Sequence, residues 1–479
     1  MPITTDATDA LRQAGAFASD LVRPAVRLGV TGLARAGKTI FISALIHNLI
    51  AGGRLPFFRP KAEGRLRRAW LEPQPDFDVP RFQIEDHLGA LTASPPRWPD
   101  STRRISQLRL TLEYAPGSLW RHVTGARKLH VDIVDYPGEW LLDLPLLAQD
   151  FATWSAGALT AARRSNRATA AGPFLQFLGS LSSAAGPEQT ALAGAGLFRD
   201  YLAACRKADH VYSGITPGRF LMPGDLEGSP ALTFFPLPPG GDGPLATLLA
   251  RRYEAYKSHA VKPFFRDHFS RLDRQIVIVD ALGALDAGPD AVADLSASLE
   301  AVLAAFRPGA NTWLSAILSR RIDKILFAAS KADHLHHTSH DRLEAILGRM
   351  VNGAISRAQF AGAEVRVLAM AGIRATREAE IAAEPGAPPL PCIIGTPLAG
   401  EVLGAQTFDG RREVAIFPGD LPADPAAALN PAGPGLSGTL RFPKLRPPVL
   451  TATANAPVPP FPHIRLDRAI DFLIGDRLA

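Results

Sequence analysis

One octapeptide, Gly32-Leu33-Ala34-Arg35-Ala36-Gly37-Lys38-Thr39, constrains this chain more than any other feature. It satisfies G-x-x-x-x-G-K-[ST] at every fixed position. Before it, Arg27 to Thr31 reads as a short buried strand; after it, Ile40 to Ile50 reads as an apolar helix stopped by Gly52 and Gly53. A strand, a tight turn and a helix in that order direct successive backbone N–H groups inward at a helix N-terminus, a concave site for phosphate. Gly32 and Gly37 permit backbone angles and a close approach that a Cβ would obstruct. Lys38 supplies a cation to β- and γ-phosphate oxygens, and Thr39 supplies a hydroxyl to Mg²⁺. Ala36 lies within the cradle. Arg35 either faces solvent or reaches the γ-phosphate as an internal arginine finger.

Further elements follow in a fixed order. Lys128 to Val134 reads as a strand, and the apolar run Val131-Asp132-Ile133-Val134 ends in Asp135-Tyr136-Pro137-Gly138, an Asp-x-x-Gly turn. Asp135 is placed to hold Mg²⁺ through its water shell, and the Gly138 N–H to sense the γ-phosphate. Ser330-Lys331-Ala332-Asp333 directly follows the strand Lys324 to Ala329 and has the form [NTS]-K-x-D. The Asp333 carboxylate can accept from guanine N1–H and the exocyclic amine, a donor pair that adenine lacks, while the Lys331 stem lies over the base. His334 comes next and is a candidate nucleotide contact. Ala371-Gly372-Ile373 follows the strand Glu364 to Ala369, where a loop N–H can reach the guanine carbonyl. In Trp98-Pro99-Asp100-Ser101-Thr102, Thr102 is the first candidate and Ser101 the second for a switch residue closing over the γ-phosphate and Mg²⁺. Trp98 would cover the nucleotide.

The chain has 479 residues, which argues for several domains. Strands alternate with helices in residues 25–145 and again in 271–378, which implies βαβ units and a parallel sheet. The expected fold class is α/β: a P-loop NTPase of Ras-like type, with a mainly parallel sheet flanked by helices. Residues 1–24 hold an expected leading helix. Residues 52–106 form a long first-switch region, in which Leu55 to Pro99, rich in Pro and Arg, reads as an insertion or mobile loop. Residues 146–270 read as an inserted, mainly helical domain and 379–463 as a Pro/Gly-rich β insertion. Residues 464–479 read as an amphipathic terminal helix returning to the sheet.

Composition excludes other classes. Two cysteines rule out a disulfide scaffold. No run of eighteen apolar residues occurs, so no transmembrane segment is expected, and the N-terminus lacks the pattern of a secretory signal. The expected location is cytoplasmic. A net charge of +6 contains no block of like charges and no aromatic-basic pattern, so nucleic acid is not an expected partner. His334, His336, His337 and His340 cluster, but no Cys or carboxylate framework completes a metal site in the sequence.

The order of P-loop, switch Thr, Asp-x-x-Gly, Ser-Lys-Ala-Asp and Ala-Gly-Ile resembles that of the Ras-like TRAFAC GTPases. The P-loop and the stretch Asp132 to Trp140 are similar in wording to the YcjX-like family of bacterial P-loop GTPases. So are Pro217 to Phe220, Pro223 to Gly228, Lys331 to His337 and His463 to Asp467, which together span nearly the whole chain. The resemblance implies a GTPase using GTP/GDP and Mg²⁺, associated with stress responses, with a membrane-associated stress protein as a conceivable partner. It also exposes a departure: Glu139 follows Asp-x-x-Gly where many Ras-like enzymes carry a water-orienting Gln. A carboxylate there can accept a proton from water but repels the γ-phosphate. A switch or scaffold with negligible turnover, or an ATPase, remains the alternative.

Overall fold

Apolar side chains on both faces of a strand demand cover on both sides, and the central strands meet that demand. The computed structural model describes residues 24–32, 36–100, 104–117, 126–181, 186–207, 215–240, 243–304, 322–360, 362–382, 384–430, 440–450 and 458–479. Its main sheet has seven strands: β1 (Ala25–Gly32), β2 (Leu66–Glu72), β3 (Ser106–Tyr114), β4 (Arg127–Asp135), β5 (Arg274–Val279), β6 (Lys324–Ala329) and β7 (Glu364–Ala369). Their order is β2-β3-β4-β1-β5-β6-β7. The five from β4 to β7 run parallel, while β3 is antiparallel to β4 and β2 antiparallel to β3. With a P-loop after the central β1, this is the P-loop NTPase α/β fold.

Every residue of β5 is buried. Ile276 and Ile278 join Val26, Leu28, Val30, Leu326 and Ala328 in the core on one face. Val277 and Val279 join Ile325 and Phe327 on the other. The period of two along a strand divides these residues between two cores. The first core is closed by the P-loop helix, Lys38–Ile50, and by the terminal helix, Leu466–Ile474. Leu466, Ala469, Ile470 and Leu473 of that terminal helix are buried, the helical spacing that lays one stripe on the sheet.

A third core lies among the helices Phe151–Ala162, Ser165–Gly179, Pro187–Lys207 and Pro244–Tyr256, the last continuing through a π-turn at Lys257–Val261 into Lys262–Asp267. It is rich in aromatic residues, with Trp154 stacked on Tyr253 at a centroid distance of 5.2 Å. Tyr136 and Trp140, which follow β4, are part of this same core.

The structure departs from the sequence reading in several elements. Leu55 to Pro99 is not one long loop: it holds β2 and a helix, Ile84–Leu91. β2 is an edge strand whose Arg67 and Arg68 are exposed and whose remaining residues are mostly half-buried, so no clean apolar alternation betrays it. Arg68 pairs with Glu113 of β3 at 2.8 Å. The stretches 151–179 and 340–360 each hold two helices, divided at Arg163–Arg164 and at Val351. The expected late insertion begins before 379: β8 (Arg377–Ala382), β9 (Pro389–Gly395) and a strand at Val414–Ile416 form a separate antiparallel sheet. Cys205 and Cys392 are buried free thiols. The expected leading helix falls on residues outside those described. No helix among the described residues is long and apolar enough to cross a membrane.

Candidate functional site

The C-terminal ends of the parallel strands collect the sequence motifs along one edge of the sheet, the edge at which α/β sheets bind ligands. β1 ends at Gly32, where an added Cβ would lie 2.5 Å from the Ile278 carbonyl oxygen of β5. Gly37 caps the P-loop helix with φ +91°, a left-handed conformation that L side chains rarely adopt. These two positions are the ones at which the turn requires glycine. Ala36 is buried beside them, and Lys38 and Thr39 open the helix. Leu33, Ala34 and Arg35 lie outside the described residues, and so do Ser101 and Thr102.

Val30 of β1 pairs with Asp135, the last residue of β4. This register brings the Asp135 carboxylate to the P-loop, 3.4 Å from Lys38 Nζ. Asp135 is 1% exposed, and among the described residues none donates a hydrogen bond to either carboxylate oxygen. The Lys38 ammonium offsets the charge of this buried carboxylate but donates no hydrogen bond to it, so both oxygens keep lone pairs that a further cation can use. The residues therefore fit Mg²⁺: Asp135 beside the first turn that carries the Thr39 hydroxyl, both oxygen donors of the kind a hard cation takes.

Gly138 begins a 3-10 helix, Gly138–Ala148, whose Trp140, Leu141, Leu142, Leu144 and Leu146 are part of the aromatic core. Glu139 is buried and its Oε1 lies 3.3 Å from Arg206. The Arg219 guanidinium stacks over the Trp140 ring at 3.4 Å, and the Trp140 indole N–H donates to the Met222 carbonyl at 3.2 Å. Asp143 accepts from the Gly218 N–H at 2.8 Å and from the Tyr256 hydroxyl. Burial pushes the Asp143 carboxyl up to about 6, although both hydrogen bonds oppose the rise. A Cβ on Gly218 would lie 2.2 Å from the Glu139 carbonyl oxygen, so the two segments touch backbone to backbone. Sequence reasoning missed this set, although Pro217-Gly218-Arg219-Phe220 had been singled out by wording.

After β6, Lys331 adopts φ +60° and its ammonium pairs with Asp280. Asp280 also accepts from the Gly283 N–H at 3.0 Å. Burial pushes the Asp280 carboxyl up, but the Lys331 ammonium and that N–H more than offset it and leave it below the usual carboxylate range. Asp280 is a second residue the sequence reading missed; its signal was an acid directly after a parallel strand. Asp333 is buried, and its Oδ2 accepts from the Ala375 N–H at 2.9 Å while its carbonyl accepts from Thr376 Oγ1 at 2.6 Å. His334 is half-buried, and burial lowers its pKa.

Ala371 bridges to Ile464 through two backbone hydrogen bonds, of 3.0 and 2.9 Å. Gly372 rests on the P-loop helix: a Cβ there would lie 3.2 Å from Phe41 Cα. Ile373 is buried in the core beneath. The Ala332 N–H donates to the Met370 carbonyl at 3.2 Å, which joins this loop to the Asp333 turn. P-loop, Asp135, Asp333 and the 371–373 loop thus lie at the ends of β1, β4, β6 and β7 of one sheet, with Asp280 at the end of β5 between β1 and β6. Trp98 packs on the first core and donates its indole N–H to the Leu445 carbonyl at 2.6 Å.

A family model described as "YcjX-like family, DUF463" matches residues 26–478. The chain is 37% identical to "Ras-like GTPase YcjX" of Escherichia coli (strain K12) over 471 residues, 95% of this chain and 96% of the relative. It is 34% identical to "Ras-like GTPase YcjX" of Shewanella oneidensis over 478 residues, 95% of this chain and 94% of that one. A solved chain titled "Signal recognition particle receptor SRb-GTP/SRX complex from Chaetomium thermophilum" aligns with 73% of this chain and 91% of its own at 14% identity and a TM-score of 0.25. The fold assignment rests on the strand order and not on that last likeness. A P-loop on the central strand, an acid at the end of the neighbouring strand and relatives matched end to end agree: the chain belongs to the YcjX-like family.

Proposed function

We propose that this chain is a GTPase that binds guanine nucleotide at these strand ends, hydrolyses GTP with Mg²⁺ and passes its nucleotide state to the helical residues 146–270. The observation that carries the reading is Asp135, buried, with no hydrogen bond from the described residues and 3.4 Å from Lys38 at the start of the P-loop helix. Lys38 and the N–H groups of the helix start draw charge from the transferring phosphoryl. Asp135 and Thr39 would hold the metal, with Thr102 as the switch residue joining them; the metal supplies charge neutralisation to the phosphate oxygens. Gly138 would sense the γ-phosphate. Asp333 has Oδ1 left to accept from guanine once Oδ2 is held by Ala375, and Ala371, Gly372 and Ile373 flank it. Ala36, Arg35, Trp98, Ser101, Lys331 and His334 complete the proposed nucleotide contacts.

The same proposal divides the chain into a nucleotide-binding body, residues 25–145 and 271–378 closed by 464–479, with a helical insert over 146–270 and a late piece over 379–463. Its setting would be a bacterial stress response, with a membrane-associated stress protein as the partner.

Competition binding tests the base. GDP is expected to displace a labelled guanine nucleotide far better than ADP, and Asp333→Asn to weaken GDP while leaving ADP unchanged. Equal displacement by ADP would sink the assignment. Single-turnover hydrolysis with Lys38→Ala as control tests the chemistry. A second reading, a nucleotide switch with negligible intrinsic turnover, is favoured by one contact: Glu139 is occupied by Arg206 and is not free to orient water. Tight GTP binding by the wild type with no phosphate released would select it.

A further inference from the structure

We propose that His336, His337 and Glu378 form a zinc site that clamps the base-reading turn to β8. In sequence the histidines stand without a third ligand. The fold supplies it, because Glu378 of β8 comes to lie beside them. One ligand atom from each of the three falls within 4.8 Å of the other two. His337 Nδ1 is 2.7 Å from Glu378 Oε2, and His336 Nε2 is 3.9 Å from the same oxygen. A tetrahedral zinc with N and O ligands at 2.0–2.2 Å needs edges of about 3.3 Å, a value these separations bracket. Two imidazoles and a carboxylate are a donor set suited to zinc, with the fourth position left to water.

The supports of the ligands are also in place. His336 Nδ1 is 3.0 Å from Thr338 Oγ1, which leaves Nε2 for the metal. Arg374 lies 3.2 Å from Glu378 Oε1 and so orients the carboxylate with Oε2 toward the histidines. Such outer hydrogen bonds fix ligand direction in metal sites. His336 is buried and His337 exposed, so the site has a fixed wall and an open mouth. His334 and His340, the other members of the sequence cluster, are turned elsewhere: His340 Nε2 bonds the Ala332 carbonyl at 2.8 Å, and the His334 ring meets Phe442.

The location gives the metal a task. His336 follows Asp333 by three residues, and Glu378 follows Ala375 and Thr376, which hold the Asp333 carboxylate and carbonyl. A metal bridging the two segments holds the Asp333 carboxylate in its position. By reciprocity, zinc and guanine nucleotide would each tighten the other. This second claim rests on the proposed guanine site; zinc binding itself does not.

The test is competition for Zn²⁺ between a chromophoric chelator and the full chain, first stripped with EDTA and then saturated with Mg²⁺ and GDP to block the phosphate site. One equivalent is expected to bind the wild type. The pair His336→Ala with Glu378→Gln should weaken it beyond the roughly 10–100-fold that losing an outer hydrogen bond costs, with the metal-free variant still folded and unfolding cooperatively. His337→Cys should retain the site and give, with Co²⁺, a thiolate-to-metal charge-transfer band that the wild type lacks. Equal zinc binding by wild type and double variant, no zinc binding by folded wild type, or no such band would each overturn the site. Intact zinc binding with no change in GDP affinity would remove the coupling and leave the site.

Discussion

At the scale of single residues, the site is set by groups with no alternative. Gly37 sits at φ +91° with no atom of the described residues within 4 Å of where a Cβ would point, so among them an alanine is opposed by backbone strain and not by a clash. Gly37→Ala is expected to lower stability by about 1–2 kcal/mol in urea unfolding and to weaken GDP binding by isothermal titration. Unchanged values for both would mean that the turn has another conformation. Asp143 shows how a buried carboxylate reports pH. Its pKa is raised to about 6 by burial, so its neutral form is favoured in the folded state. The stability it contributes is complete below the usual carboxylate value and is lost as pH rises through about 6. Asp143→Asn does not titrate, so its stability relative to wild type should rise across that window, by on the order of 3 kcal/mol. Parallel pH profiles for the two proteins would count against a buried charge at Asp143.

At the scale of elements, the piece of interest runs from Tyr136 to Asp143. It leaves the end of β4 and enters the aromatic core of the helical insert, where Tyr136 and Trp140 meet Phe264 edge-on at 5.4 and 5.5 Å. A segment so placed cannot move without its neighbours, because packed interiors repack in discrete steps. Hydrogen exchange should therefore show backbone protection changing together in residues 136–143 and 217–222 when a non-hydrolysable GTP analogue replaces GDP. Changes confined to the P-loop helix would show that the insert does not follow the nucleotide.

For the whole molecule, the terminal helix ties distant parts of the chain into one core. Ile470 is fully buried among residues that include the P-loop helix. Ile470→Ala is expected to lower stability by about 2–5 kcal/mol in chemical denaturation, the range for large-to-small changes in a close-packed core. A loss below about 1 kcal/mol would mean that the terminal helix is dispensable. The Arg465 contacts with Asp341 and Glu344, at 2.7 and 2.9 Å, fasten the same helix to the other side of the sheet.

Much of this was legible before any coordinates. The P-loop, Asp135, Asp333 and the central strands β5 and β6 follow from local chemistry: a phosphate turn needs glycine at particular places, and a parallel strand buried on both faces must be largely apolar. Such requirements act within a few residues, so the chain states them in order. β2 was not legible, because an edge strand carries charge and buries little. Nor were the Lys331–Asp280 pair, the docking of Gly218 on Glu139, or Glu378 beside His336 and His337. Those depend on which strand ends and loops become neighbours, and side chains far apart in sequence meet only once the sheet has taken its order. Local motif therefore determined the nucleotide chemistry of this protein, while tertiary contact alone decided what that chemistry is wired to.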